Sequence, residues 1–397
     1  MPTLLQTLKK HPLAQRLNAA LKAPLQERRA ARSLRWCRDE AKRKGRVELD
    51  EPALTLALRT RLQNRPHPVW PKPKGSLHVF MMYWLENWEF VLPISMQPFG
   101  KVTVFDWRAH GFDSRSKNWL IERDAMNDAM LRAFHAANAE QPVDAVIGYV
   151  SGHTTSPETL REMSRAGAAI FNMCFDDKLH MPGRVFGGRD TSPAGIASTV
   201  DLNLTNSPES VIKYYAFDGL GIFCPQGAQP DIHTPQPGGF KYDVSFVGAK
   251  YGWRSRLIEA LTQRGIHVEC FGKGWPNGMI SDADLIAVFS HSRINIGMAG
   301  VAHSNTLCCL KGRDYEIPMC GGLYLTQDHS DLPFIYNVGT EIAVYRDADD
   351  CAAQIRALLA DPKRADAIRQ AGHHRARSTH SWEACWDRVF KIAGIIA

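Results

Sequence analysis

The chain has 397 residues, 44% of them hydrophobic, with a formal net charge of +7 and nine cysteines. That length and apolar content suffice for two domains with sizeable cores, and the absence of any run of about 18 apolar residues excludes a helical membrane span. The cysteines are odd in number and lack C-x-x-C spacing, so they read as reduced, buried thiols, and no short-spaced Cys and His cluster points to zinc.

Residues 1–74 carry 18 Lys and Arg against 6 Asp and Glu, a net of +12, which leaves the rest of the chain mildly acidic. The first residues lack the apolar stretch and cleavage site of a secretory signal, so the cytoplasm is the expected location. In "HPLAQRLNAALKA" the leucines 13, 17 and 21 recur four apart, and "LQERRAARSLRWCRDEAKRKG" continues as a strongly basic helix. A Pro-rich joint, "NRPHPVWPKPKG" (64–75), sets this head apart from the body. The head reads as a solvated helical extension, with docking to a partner or to a membrane surface as the alternative. No nucleic-acid motif supports a stronger role.

Beyond the joint, "LHVFMMY" (77–83), "KVTVFDW" (101–107), "DAVIGYV" (144–150), "AAIFNM" (168–173) and "VDLNLT" (200–205) have the length and β-branched content of buried parallel strands, with helical segments between several of them. The Pro- and Gly-rich stretch 224–240 interrupts the series, and a second one follows: "YDVSFVG", "IHVECFG", "RINIGM", "GLYLT" and "EIAVYR", again with helices between. The predicted fold is α/β, two Rossmann-like domains facing a cleft. The expected boundaries are a basic extension at 1–74, an N-terminal domain at 75–238, and a C-terminal domain at 239–397 that includes the final helix. Open parallel sheets bind ligands beyond the carboxyl ends of their strands, so candidate residues are sought there.

Two D-x-D spellings, at Asp282 and Asp284 and at Asp347 and Asp349, follow the pattern of helix N-caps rather than metal ligands. Asp176 and Asp177 follow a predicted strand and read either as loop acids or as an acceptor contact or general base. His153 follows the preceding strand and is open between a polar loop residue and a substrate contact. The turn after "YDVSFV" holds Gly248, Lys250 and Arg254 at a helix start, where backbone N–H groups and added positive charge suit a phosphate. Trp275, after the next strand, reads as a stacking platform or a core residue. The stripe Trp382, Trp386 and Phe390 is core packing. The G-x-S-x-G elbow and the P-loop spelling are absent from the sequence.

In "CCLKGRDYEIPMCGGLYLT" a single carboxylate, Glu316, sits in an apolar helix that runs into Gly321 and Gly322 and a strand, with Lys311 and Arg313 just before it. A carboxylate there can accept from vicinal ribose hydroxyls while Lys311 and Arg313 face phosphates, a nucleotide clamp that needs no metal.

The ordered series "YDVSFVG", "CFGKGW", "SRINIGM", "KGRDYEIPMCGGLYLT", "EIAVYRDADDCAAQIRALLADP" and "RQAGHHRARSTHSWEACWDR" resembles the C-terminal domain of GT-B glycosyltransferases, in particular the spore-maturation CgeB-like group. The resemblance implies a transferase of the hexosyl type that moves a sugar from a nucleotide diphosphate donor, with Glu316 on the donor ribose. It implies an acceptor, protein or glycan, presented by the domain that carries His153, Asp176 and Asp177, with Arg313 among the catalytic groups. Many relatives have a second glutamate where this chain has Cys308, which leaves the contact to the donor sugar unexplained. A nucleotide-sugar epimerase of the same architecture and a catalytically silent nucleotide-binding protein are the other readings.

Overall fold

A computed structural model describes residues 12–83 and 90–397. The chain divides into two compact units: residues 32–225 with 382–397 form the first, and residues up to 31 with 226–381 form the second.

The first unit is built on a six-stranded, all-parallel sheet. Its strands are β1 (Leu77–Tyr83), β2 (Gly100–Phe105), β3 (Ala145–Tyr149), β4 (Ala169–Cys174), β7 (Leu202–Thr205) and β8 (Gly221–Phe223), in the order β2-β1-β3-β4-β7-β8. Two short strands, β5 (Val185–Phe186) and β6 (Arg189–Asp190), form a separate antiparallel pair. Five of the six sheet strands coincide with the apolar runs of the sequence, because a strand covered on both faces needs apolar side chains on both. Phe80, Val146 and Ile170 from the sheet pack with Met126, Met130 and Phe134 of the helix Trp119–Glu140.

Residues 32–74 of the basic head are not an extension of this unit but a layer of it, while the residues up to 31 belong to the second unit. The helix Glu51–Gln63 is capped by Asp50, whose side chain accepts from Ala53 N, and it buries Leu54, Leu58 and Leu62. That i, i+4, i+8 stripe packs against the helix Trp382–Ala393, which the sequence reading assigned to the C-terminal domain. Trp386 and Phe390 of that helix continue inward, where Phe390 meets Phe99 at 5.0 Å and Phe171 at 5.7 Å between ring centres. The Pro-rich joint is tied down as well, since Lys72 N donates to Ile395 O at 2.9 Å. Much of the head's charge meets carboxylates of its own unit: Lys44 with Asp218 at 2.7 Å, Lys72 with Asp144 at 2.6 Å, and Arg65 with the fully buried Asp201. The more exposed of these pairs contribute little, while the enclosed Arg65–Asp201 pair is fixed in place, so the apolar stripe is the main hold on residues 51–63. The side chains of Leu13, Leu17 and Leu21 lie outside the described residues.

The second unit carries a five-stranded parallel sheet of β9 (Tyr242–Val247), β10 (Glu269–Phe271), β11 (Ser292–Ile296), β12 (Tyr324–Gln327) and β13 (Ala343–Tyr345), in the order β10-β9-β11-β12-β13. Ser281 accepts from Asp284 N at 3.1 Å and Asp347 from Asp350 N at 2.9 Å, so both D-x-D spellings open helices. The order reverses between β9 and β11: one crossover leads outward to β10, the next back across to β11. The crevice beyond the carboxyl ends of those two strands is the switch point at which such sheets take ligands. Among the described residues no helix is long and apolar enough to cross a membrane, and no group of His, Cys, Asp and Glu is placed to hold a metal ion.

Because Leu58 is fully buried, Leu58→Ala is expected to cost about 2–5 kcal/mol in urea denaturation. A protein lacking residues 1–74 is expected to lose the unfolding transition of the first unit, whereas a dispensable extension would leave that transition unchanged.

Candidate functional site

Two guanidinium groups occupy the switch point of the second unit. Arg313, the first residue of the helix Arg313–Met319, donates from Nη1 to Val247 O at 3.2 Å and from Nη2 to Met298 O at 3.3 Å. It thereby joins the ends of β9 and β11, the two strands between which the order reverses. Arg254 opens the helix Arg254–Gln263, donating to Ala249 O at 2.9 Å and to the Tyr251 hydroxyl at 3.2 Å. The ring of Phe246 lies under both cations, 5.6 Å from Arg254 and 5.3 Å from Arg313. Gly248 lets them approach: its φ is +153°, and a β-carbon there would sit 3.0 Å from Arg313 Nη1 and 3.3 Å from Arg254 Nη1.

This pair lacks a counter-ion. Among the described residues no carboxylate forms an ion pair with either guanidinium, and the Nε–H of each is buried without an acceptor. Burial, and then the charge of Arg313, pull Arg254 down to about 10. Two adjacent cations with orphaned donors, at a helix N-terminus and at the carboxyl edge of a parallel sheet, have the chemistry that holding an anion requires.

The helix that carries Arg313 is pinned by its neighbour. Asp314 is fully buried, and its carboxylate accepts from Lys311 N and from the Tyr324 hydroxyl, both at 2.5 Å, while its carbonyl accepts from the Tyr336 hydroxyl at 2.8 Å. Burial raises the Asp314 carboxyl above the ordinary range. At the other end Gly321, with φ +69°, closes a Schellman turn in which Gly321 N donates to Pro318 O and Gly322 N to Ile317 O. A β-carbon on Gly322 would sit 2.8 Å from Asn295 Nδ2 and from Phe289 O, so the chain passes into β12 only with glycine there. The two glycines thus hold the helix end against the sheet and do not themselves lie in the arginine crevice.

Glu316 projects from this pinned helix. Its carboxylate lies back over Gly312, where a β-carbon would come within 2.9 Å of Oε1. The side chain is half-buried, makes no hydrogen bond or ion pair among the described residues, and is pushed by burial up to about 7, against the lowering effect of Arg313. A carboxylate near Arg313 that pairs with no cation among the described residues is available to accept from a ligand.

The remaining expected residues are distributed unevenly. Lys250 is exposed, with its ammonium 5.0 Å from the ring centre of Trp275. Trp275 itself is buried; its indole donates to Gly248 O at 2.8 Å and its ring packs on Phe246, so it supports the glycine turn from beneath. Lys311 Nζ lies 2.9 Å from Cys309 Sγ. Cys308 is buried, with its thiol donating to Asn305 O.

His153, Asp176 and Asp177 all belong to the first unit, after β3 and β4. His153 Nε2 lies 3.3 Å from Ser114 O, and its carbonyl accepts from the Trp119 indole. Asp177 is enclosed: the Tyr214 hydroxyl donates to its Oδ2 at 2.8 Å, Lys213 Nζ donates to its carbonyl at 2.7 Å, and burial raises its carboxyl. Those contacts give it an internal role, and of the two acids only Asp176 is exposed. Sequence reasoning missed Phe246 and Met298, whose importance comes from a partner far along the chain and carries no local signal.

Residues 254–391 match a family model described as Glycosyl transferase-like. No curated protein matches the sequence significantly. Among solved structures, sucrose-phosphate synthase from Thermosynechococcus elongatus aligns with a TM-score of 0.56 at 12% identity, over 80% of this chain and 98% of that one. A glycosyltransferase from Rickettsia africae gives 0.56 at 11% over 80% and 98%. Anabaena HepE in complex with UDP gives 0.54 at 11% over 80% and 99%. Two parallel α/β units in one chain, matched over nearly the whole length of these structures, place the protein in the GT-B fold.

Proposed function

We propose that the protein is a glycosyltransferase that moves a sugar from a nucleoside diphosphate donor to an acceptor without a bound metal. The observation that carries this reading is the uncompensated pair Arg254 and Arg313 at the switch point, with the unpartnered Glu316 on the same helix as Arg313. When the bond between the sugar's anomeric carbon and the diphosphate oxygen breaks, its electron pair stays on the diphosphate. The two guanidinium groups and the helix N-terminus at Arg254 lower the energy of that developing charge, and they are fixed before the substrate arrives. Glu316 accepts from the ribose hydroxyls and so sets the register of the diphosphate against the cations. Lys250, on the exposed side of the turn, adds positive charge.

The family match and the UDP held by HepE support a nucleotide donor, and UDP is therefore the first probe. Both D-x-D spellings being helix caps supports metal independence. On this reading the first unit binds the acceptor through His153 and the exposed Asp176.

Titration of UDP by calorimetry tests the donor site. Glu316→Gln is expected to weaken binding on the order of tenfold to a hundredfold at pH 8, since a charge-assisted hydrogen bond is replaced by a neutral one. Because burial raises the Glu316 carboxyl to about 7, wild-type affinity should rise more steeply between pH 6 and 8 than the variant's, whose remaining rise reflects ionisation of the UDP terminal phosphate. Equal affinity of a folded variant at pH 8 would remove Glu316 from the site.

The same carboxyl lowers stability. A group raised from 4.5 to about 7 binds its proton more tightly when folded, so the wild type loses stability as pH rises through that window. In urea unfolding Glu316→Gln should match the wild type near pH 4.5 and exceed it by roughly 1–3 kcal/mol at pH 8; the lower figure allows for partial exposure. In addition, transfer activity is expected to persist in excess EDTA. A loss restored by Mg²⁺ or Mn²⁺ would overturn metal independence.

A further inference from the structure

The loop 298–309 starts at the carboxyl end of β11 and forms one wall of the arginine crevice. Met298 O accepts from Arg313, and Gly252, in the turn before Arg254, presses on the loop so closely that a β-carbon there would run into Ala302 O. Ala302 itself has φ +51°, a conformation that residues with a β-carbon rarely adopt, so its surroundings must hold it. Val301 N donates to Leu307 O and Cys309 N to Ala299 O, which closes the loop on itself. From outside it is held by Gln327, whose Nε2 donates to Asn305 O, and by the helix Pro12–Arg43. Ser304 Oγ donates to Glu27 Oε1 at 2.5 Å, Thr306 Oγ1 donates to the same oxygen at 2.6 Å, and His303 N donates to Gln26 Oε1 at 3.2 Å.

Ser304 is fully buried and its hydroxyl is fully used. Its one proton goes to Glu27, and it accepts from Thr306 N at 3.1 Å and Leu307 N at 2.8 Å. Without Glu27 the hydroxyl can rotate, and its lone pairs are no longer held on the two amides. We infer that Glu27 is a positioning residue for the donor site: acting through Ser304, it holds the loop that seats Arg313 and the turn before Arg254. The inference rests on reading that crevice as the diphosphate site. It gives the first helix a part in donor binding that neither its charge nor its distance in sequence suggests.

The test compares Glu27→Ala, Glu27→Gln, Ser304→Ala and the double variant Glu27→Ala/Ser304→Ala in the full chain. Each is measured for UDP affinity, for amide hydrogen exchange of residues 300–309 without ligand, and for thermal midpoint. Glu27→Ala is expected to weaken UDP about tenfold and to speed exchange at 303–307, with little change in midpoint. Glu27→Gln should stay within about threefold of wild type, because its amide oxygen still accepts both hydroxyls. Ser304→Ala should resemble Glu27→Ala, and the double variant should be no worse than either, since the two act in series. Unchanged exchange and affinity in Glu27→Ala, or losses that add in the double variant, would overturn the clamp. If the wild-type protein binds no nucleoside diphosphate, the donor reading fails and the positioning role fails with it. Faster exchange in Glu27→Ala would then leave the contact with Ser304 as a purely structural one.

Discussion

Arg313 is the group on which the second unit's functional arrangement depends. A parallel sheet whose strand order reverses leaves a gap between two crossovers that run in opposite directions, and backbone carbonyls at the strand ends face that gap. One guanidinium spans it, held by Val247 O and Met298 O. The planar fork makes this possible, since two parallel N–H groups can reach two carbonyls while a third, Nε–H, is left over. Gly248, Phe246, the Asp314 anchor and the Schellman turn at Gly321 all follow from holding that fork in one place.

Such an arrangement works against the stability of the empty protein. A buried and a half-buried cation side by side repel each other, their Nε–H groups lack acceptors among the described residues, and the half-buried Glu316 carboxylate pairs with neither. A core selected for stability alone would let Glu316 pair with Arg313. The structure instead keeps both signs of charge apart among the described residues.

Much of the framework was legible in the sequence. Short apolar runs marked most of the strands, and Ser281 and Asp347 announced their helices through cap chemistry, because strand burial and capping depend on residues close together in the chain. Glu316 stood out for a similar reason: a lone carboxylate in an apolar helix, beside basic residues and paired glycines, is a local inconsistency. What could not be read was destination. The stripes Leu54, Leu58, Leu62 and Trp382, Trp386, Phe390 each announced a buried face, but periodicity does not say which core a face joins, and these two join each other's. The meeting of Arg254 with Arg313 is hidden in the same way, since it depends on the crossover of β9 to β11. Asp177 misled because a position after a strand marks the edge of a sheet, while the Tyr214 and Lys213 that enclose it come from a later helix.

The division of the chain between the units bears on how the protein can assemble. The first unit's core is completed by residues 382–397, which are translated only after every residue of the second unit's sheet. The second unit can bury its own strands as soon as they emerge from the ribosome. The first must wait, with the apolar face of Glu51–Gln63 uncovered while well over half the chain is still being made. Folding of the earlier sheet therefore completes only after the later one has been made, and in that interval its exposed leucine stripe is the natural place for a chaperone to bind.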